Sequence, residues 1–303
     1  MTTGFQLTIA HHLNLSGRCS LPTYFTNNLS NTTLELPSDE DAVSAARKIM
    51  EETQTWKRGK SYHHNTVHTF SKPKGPGDGA SWHARVSEHT PDDATFDEFW
   101  NKLGENHPIN EKEYIKEVKK STLLKQVSPT QAIWSMYYEF STLGVSSRIF
   151  TVLQIAHLDQ ASPRTGLFIS IPVDVSGEPE LAKLEEKAIK GHYTSVEQIK
   201  ELDNGKVEWR VATSSTPGGR IPTFLVESSM ASQIAADVPH FLHWFHTVRE
   251  KETAIAPVTD DARPSESNPT ADPFAAFTTS SIPNADAATA KVVVPGSVGA
   301  SAS

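Results

Sequence analysis

The sequence predicts an α+β fold in which a curved antiparallel sheet wraps around a long carboxy-terminal helix. Three features between Gly191 and Lys251 carry that expectation. Two strand-like runs meet at Asn204-Gly205, the dipeptide that most readily takes the left-handed turn of a tight hairpin. In the second run Val207, Trp209, Val211 and Thr213 share one face, while Glu208, Arg210 and Ala212 share the other and are expected to be mostly wet. Pro217-Gly218-Gly219 then breaks the chain. An amphipathic helix follows, with Phe224, Ile234, Val238, Phe241, Leu242, Phe245 and Val248 at three- and four-residue steps.

From the amino terminus, residues 1–36 mix Asn, Ser, Thr and Leu without a clear period and read as irregular. Ser38 reads as an N-cap, with Asp39, Glu40 and Asp41 in a first turn where acids suit the helix dipole. Val43, Ala46, Ile49 and Met50 continue that helix to about Trp56. A basic, His-containing segment and the turn-rich SKPKGPGDGAS link lead to a first strand, Trp82 to Glu88. Thr95 ahead of Glu98 resembles a capping box for a short helix bearing Phe96, Phe99, Trp100 and Leu103. A second short helix is expected over Glu111 to Ile115.

Strands then follow one another. Val118 to Lys125 is mixed. Gln131 to Phe140 places Trp134, Met136, Tyr138 and Phe140 on one face. Arg148 to His157 is nearly continuously apolar, and Leu167, Ile169, Ile171 and Val173 alternate, with those four expected to point inward. A charged, helix-compatible insertion lies between Gly177 and Lys190. The sum is six or seven antiparallel strands, two early helices and one late helix, with a folded domain over 37–252. From 253 to 303 the chain turns to Ala, Pro, Ser, Thr and Asp. That composition buries too little apolar surface to offset ordering entropy, so a disordered tail is expected.

The pieces KGHYTSVEQIKEL, GKVEWRVATSSTPGG and IAADVPHFLHWF, with SWHARVSEHTPDDATFDEFWNKLGENHPINEKEYI upstream, resemble a fungal family of START-like domains known only as a domain of unknown function. The resemblance spans roughly Ser81 to Thr247 and implies the helix-grip fold. It also implies a hollow, largely apolar interior with a few polar groups that orient a lipid or polycyclic ligand. Trp134, Met136, Tyr138, Phe140, Ile169, Ile171, His192 and Trp209 are the expected lining. Arg148 is expected either to pair with a ligand carboxylate or phosphate or to sit at an exposed strand end. Core packing is the competing reading for each aromatic. The loops Ser141–Ser147 and Ser214–Arg220, rich in small residues, are lid candidates or ordinary turns.

Composition narrows the function. With 37% hydrophobic residues in 303, the chain has apolar material for one good core. A net charge of −8 with no basic stripe argues against nucleic acid and against electrostatic docking on an anionic membrane. A transient membrane contact through an apolar loop stays open. Cys19, the single cysteine, excludes an intrachain disulfide and suits a reducing compartment. The amino terminus has neither a basic region nor a continuous apolar one, so no secretory signal is expected. The Asn14, Asn28 and Asn31 sequons then read as chance, and a cytoplasmic protein is expected.

Phosphate-binding, His-Glu-x-x-His, paired-cysteine and Gly-x-Ser-x-Gly motifs do not occur. No cofactor and no metal is therefore expected, and no catalytic residue is assigned. His240, His243 and His246 drift around the last helix and read as its polar edge rather than as metal ligands. Asp272-Pro273-Phe274 matches short peptides read by endocytic adaptors, a tripeptide common by chance. The expected function is intracellular binding or transfer of a lipid or other hydrophobic small molecule. A cyclase or isomerase of polyketide or terpenoid metabolism is the alternative, with His192, Tyr193, Tyr138 and Arg148 as its first candidates.

Overall fold

The computed structural model describes residues 34–76, 78–104, 107–140, 145–221 and 223–255. In chain order they form α1 (Asp39–Glu52), β1 (Lys57–Tyr62), β2 (Val67–Lys72), β3 (Trp82–His89), α2 (Phe96–Leu103) and α3 (His107–Tyr114). Then come β4 (Val118–Gln126), β5 (Gln131–Tyr138), β6 (Arg148–Asp159), β7 (Thr165–Pro172), α4 (Pro179–Ala182), β8 (Ile189–Glu201), β9 (Val207–Thr216) and α5 (Thr223–Ile255). The amino-terminal 33 residues, Cys19, the three sequons and the adaptor-like tripeptide lie outside the described residues, as does the chain beyond Ile255.

Local chemistry explains the elements that were legible. The Ser38 side chain accepts from the Asp41 backbone N–H at 3.1 Å and starts α1. Thr95 and Glu98 form a complete capping box at α2, Glu98 N–H to Thr95 Oγ1 at 3.3 Å and Thr95 N–H to Glu98 Oε2 at 2.8 Å. Gly205 sits at φ +75°, the left-handed conformation its turn requires, and fixes the β8–β9 register at Ile199 opposite Trp209.

The nine strands form one curved sheet in the order β1-β2-β3-β9-β8-β7-β6-β5-β4, with every neighbour antiparallel. Where β7 stops, the start of β8 reaches past it to make a short parallel contact with β6, from Arg148 opposite Ile189 to Phe150 opposite Gly191. The strand count exceeds the expected six or seven because β1 and β2 form an unforeseen hairpin. Its β1 sequence, KRGKSY, is an edge strand exposed over its first four residues, so it has no apolar alternation to read. Its turn is built from His63, His64 and Asn65 at φ 49°, 57° and 68°, without a glycine to announce it.

Two layers cover the sheet. α5 and α2 bury Phe96, Phe99, Ala235, Val238, Phe241 and Phe245 on the inner face, against Phe168, Ile199, Val207 and Trp209. α1 buries Ala42, Val43, Ala46, Ile49 and Met50 on the outer face. Burial of Val43, Ile49 and Met50 contributes about 1.5–3 kcal/mol each.

This second layer corrects two expectations. Leu167, Ile169, Ile171 and Val173 pack in the α1 cluster, on the face opposite α5, and so do not point inward. The face of β9 expected to be wet is also covered: Ala212 is fully buried there, and Arg210 Nη1 donates to Thr53 Oγ1 at 3.2 Å.

Candidate functional site

Strand alternation and register decide which side chains meet beneath α5. Arg85 on β3 lies opposite Val211, two residues along from Ser87 opposite Trp209. Glu197 on β8 lies opposite the same Val211. Arg85 and Glu197 therefore share the inner face with Trp209. The Arg85 guanidinium stacks 3.9 Å from the Trp209 ring centre, and its Nη2 is 3.8 Å from Glu197 Oε1. Trp209 Nε1 donates to that oxygen at 2.5 Å, and His107 Nε2 from α3 is 3.7 Å from Glu197 Oε2. Arg85 is 2% exposed, yet its Nε and Nη1, like His107 Nδ1, have no hydrogen-bond partner among the described residues. Burial pulls the Arg85 pKa down against the pull of Glu197.

A second group lies toward β5. Tyr138 donates to Glu111 Oε1 at 3.0 Å. Its ring stacks on Phe140 at 6.4 Å and meets Phe150 edge-on at 5.3 Å, and Phe150 in turn meets Tyr193 at 5.5 Å. Glu111 and Asp237 connect the groups, since Asp237 feels both Arg85 and Glu111. Desolvation holds the Glu111 carboxyl above the usual carboxylate range. It pushes Asp237 to about 7, with Glu111 and Glu197 adding to the rise and Arg85 opposing it. The Tyr114, Tyr138 and Tyr193 hydroxyls are raised for the same first reason.

These five groups are deep enough for desolvation to dominate their ionisation, yet Glu111, Tyr114, Tyr138, Tyr193 and Asp237 are only half-buried. A side chain that still offers surface to a water-sized sphere is not closed in by packed neighbours on that side. The inner face therefore presents polar groups that protein side chains do not fully cover.

The residues singled out from the sequence separate into groups. Tyr138 and Phe140 come together, and Trp209 stands at the Arg85 end. Trp134 and Met136 are buried on the Tyr138 face of β5, opposite Val152 and Phe150. Ile169 and Ile171 belong to the α1 face. His192 alternates to the opposite side from Tyr193, beside Thr194 and Ser214 in a cleft of about 10 Å³.

Arg148 is 2% exposed and is not at an open strand end. Its Nε donates to the Pro217 carbonyl at 2.9 Å and its Nη1 to the Ser146 carbonyl, so it joins the two loops considered as lids. At Gly218, φ +65°, an added Cβ would fall 2.1 Å from the Lys190 carbonyl oxygen, so the Pro217 loop lies tightly against β8. Of the lid loops, Ser141–Gly144 fall outside the described residues. The alternative catalytic set is not assembled: Arg148 pairs in register with Tyr138, on the face shared with Phe150 and Tyr193, but its guanidinium is committed to the Ser146 and Pro217 carbonyls, and His192 alternates to the other side.

Arg85, His107, Glu111, Tyr114, Glu197 and Asp237 were all missed. One signal was available for Glu197: counting back from the Asn204-Gly205 turn places it on the Trp209 face. Ser87 Oγ and His89 Nε2 are 2.8 Å apart and His89 Nδ1 is 3.9 Å from Asp93, which imitates a nucleophile, base and acid in line. Both residues are 3% exposed, packed with Phe99 and Trp209, and burial lowers His89 to about 4. That geometry gives a substrate no access. His240, His243 and His246 lie along the exposed edge of α5, with His246 Nε2 3.0 Å from the Asp93 carbonyl oxygen. Among the described residues, no helix is long and apolar enough to cross a membrane.

A family model described as "Protein of unknown function (DUF3074)" matches residues 82–245, more than half of the chain. Among solved structures, human STARD10 aligns with a TM-score of 0.58 at 11% identity, covering 74% of this chain and 85% of that one. Human StAR-related lipid transfer protein 5 aligns at 0.53 and 14% identity, covering 69% and 100%. A STAR-related lipid transfer protein fragment from Xanthomonas axonopodis aligns at 0.50 and 14%, covering 63% and 98%. At such identities the likeness establishes the helix-grip fold alone. No curated protein matches the sequence.

Proposed function

We propose that this chain, a member of the DUF3074 family of proteins of unknown function, binds a lipid or other hydrophobic small molecule between its sheet and α5 and carries it from donor to acceptor. The observation that carries the reading is the half-buried polar lining of the inner face. Glu111, Tyr114, Tyr138, Tyr193 and Asp237 gather on the inner face beside Phe150 and keep accessible surface, where a core serving only stability would be apolar and filled. Two of the structural neighbours are StAR-related lipid transfer proteins, which supports the same reading. Burying on the order of 400 Å² of apolar ligand surface would supply about 10 kcal/mol gross, before association costs. Exchange with a membrane would pass the rim where Arg148, in register with Tyr138, ties Ser146 to Pro217.

The test is direct. Protein purified under native conditions is extracted with organic solvent and the extract analysed by mass spectrometry. The stripped protein is then titrated with the fluorophore diphenylhexatriene. A stoichiometric hydrophobic molecule in the extract, or saturable uptake of the fluorophore at one site, is expected. An empty extract together with no uptake would end the proposal.

A further inference from the structure

We infer that the polar end of the ligand is an uncharged oxygen, such as a carbonyl, hydroxyl or ether, docked on the Arg85 guanidinium, and not a carboxylate or phosphate. This rests on the ligand-binding reading above and names the class of ligand. Two buried guanidinium nitrogens, Arg85 Nε and Nη1, have no partner among the described residues. A buried guanidinium N–H without an acceptor is costly, so the site is complete only when something supplies oxygen.

The surroundings decide the charge of that oxygen. Glu197 already stands 3.8 Å from Arg85 Nη2 and 3.7 Å from His107 Nε2, and it accepts the Trp209 N–H. It supplies the negative charge that the guanidinium needs. Glu111 and Asp237 face the same interior from α3 and α5, and both interact with Glu197. One guanidinium and one imidazole thus meet three carboxyl groups. A second anion beside Arg85 would add repulsion from Glu197 in a poorly solvated interior, whereas a neutral oxygen accepts the free N–H groups without it. The Trp209 ring on one side of the guanidinium leaves its edges, not that face, for the ligand.

Stripped full-length protein loaded with diphenylhexatriene is titrated with 2-hexadecanone or with palmitate, each delivered from cyclodextrin, and displacement is followed by fluorescence. The ketone is expected to compete at least ~10-fold more tightly than palmitate, the scale of a hydrogen bond to a charged donor. Arg85→Lys, which keeps the charge and loses the planar donor array, is expected to weaken the ketone ~10-fold and leave palmitate little changed. The wild-type comparison stands without any variant, and thermal melting checks that Arg85→Lys is folded. Palmitate competing equally or better, or a folded Arg85→Lys variant that binds the ketone as wild type does, overturns this inference and leaves ligand binding intact. Failure to take up diphenylhexatriene at all removes both.

Discussion

Replacing Asp237 by Asn tests whether the space beneath α5 is as dry and as acid-rich as the geometry requires. Asp237 sits on α5, and its carboxyl is raised from 3.8 to about 7, first by burial and then by Glu111 and Glu197, against the opposing pull of Arg85. In the unfolded chain the group loses its proton near 3.8. Below that value both states are protonated and Asp237 adds no pH dependence. Between 3.8 and about 7 the folded state keeps a proton that the unfolded state has released. Stability therefore falls as pH rises, by about 1.4 kcal/mol per pH unit, and the loss is complete above about 7. The interval from 3.8 to about 7 corresponds to about 4 kcal/mol at most. Asparagine has nearly the same shape and never ionises. Asp237→Asn is thus expected to match wild type within about 1 kcal/mol at pH 4 and to exceed it by about 2–4 kcal/mol at pH 7.5. Urea unfolding followed by circular dichroism at half-unit steps between those values measures the gap, and an unchanged slope against urea shows that the two unfolding reactions are comparable. A gap that stays constant with pH, or an Asn variant less stable at pH 7.5, would refute the reasoning.

Three further outcomes are expected. Glu98→Ala removes both the α2 capping box and the 2.6 Å ion pair to Arg249 on α5, and should cost about 1–2 kcal/mol in urea unfolding. Trp134→Ala should cost about 3–5 kcal/mol by opening a void on the inner face of β5, whereas Tyr138→Phe, which breaks the bond to Glu111, should change ligand preference more than stability. Arg148→Ala unties the Ser146 and Pro217 loops and should speed release of diphenylhexatriene in stopped-flow exchange several-fold, with the far-ultraviolet spectrum unchanged.

How far the site could be read follows from the range of the signal. Asn204-Gly205, Ser38 with its acids, Thr95 with Glu98 and the spacing of Phe241 and Phe245 each specify an element through neighbours within four residues, and each stands in the structure. The β1–β2 hairpin escaped because an exposed edge strand has no apolar face to register and its turn uses His63, His64 and Asn65. Alternation along β7 correctly grouped Leu167, Ile169 and Ile171, but grouping residues does not say which side of the sheet they face.

The sequence by itself determined the elements, their order and the two faces of most strands, because turn conformation, capping and periodicity act between residues close along the chain. Only the tertiary structure decided that α1 claims the outer face, turning Ile169 and Ile171 away from α5. It alone gathered Arg85, His107, Glu197 and Asp237 from β3, α3, β8 and α5. Both sides of this sheet are covered, so hydrophobic pattern cannot distinguish inside from outside. A charge becomes a site only when the elements that enclose it, distant in sequence, arrive together and leave it short of water.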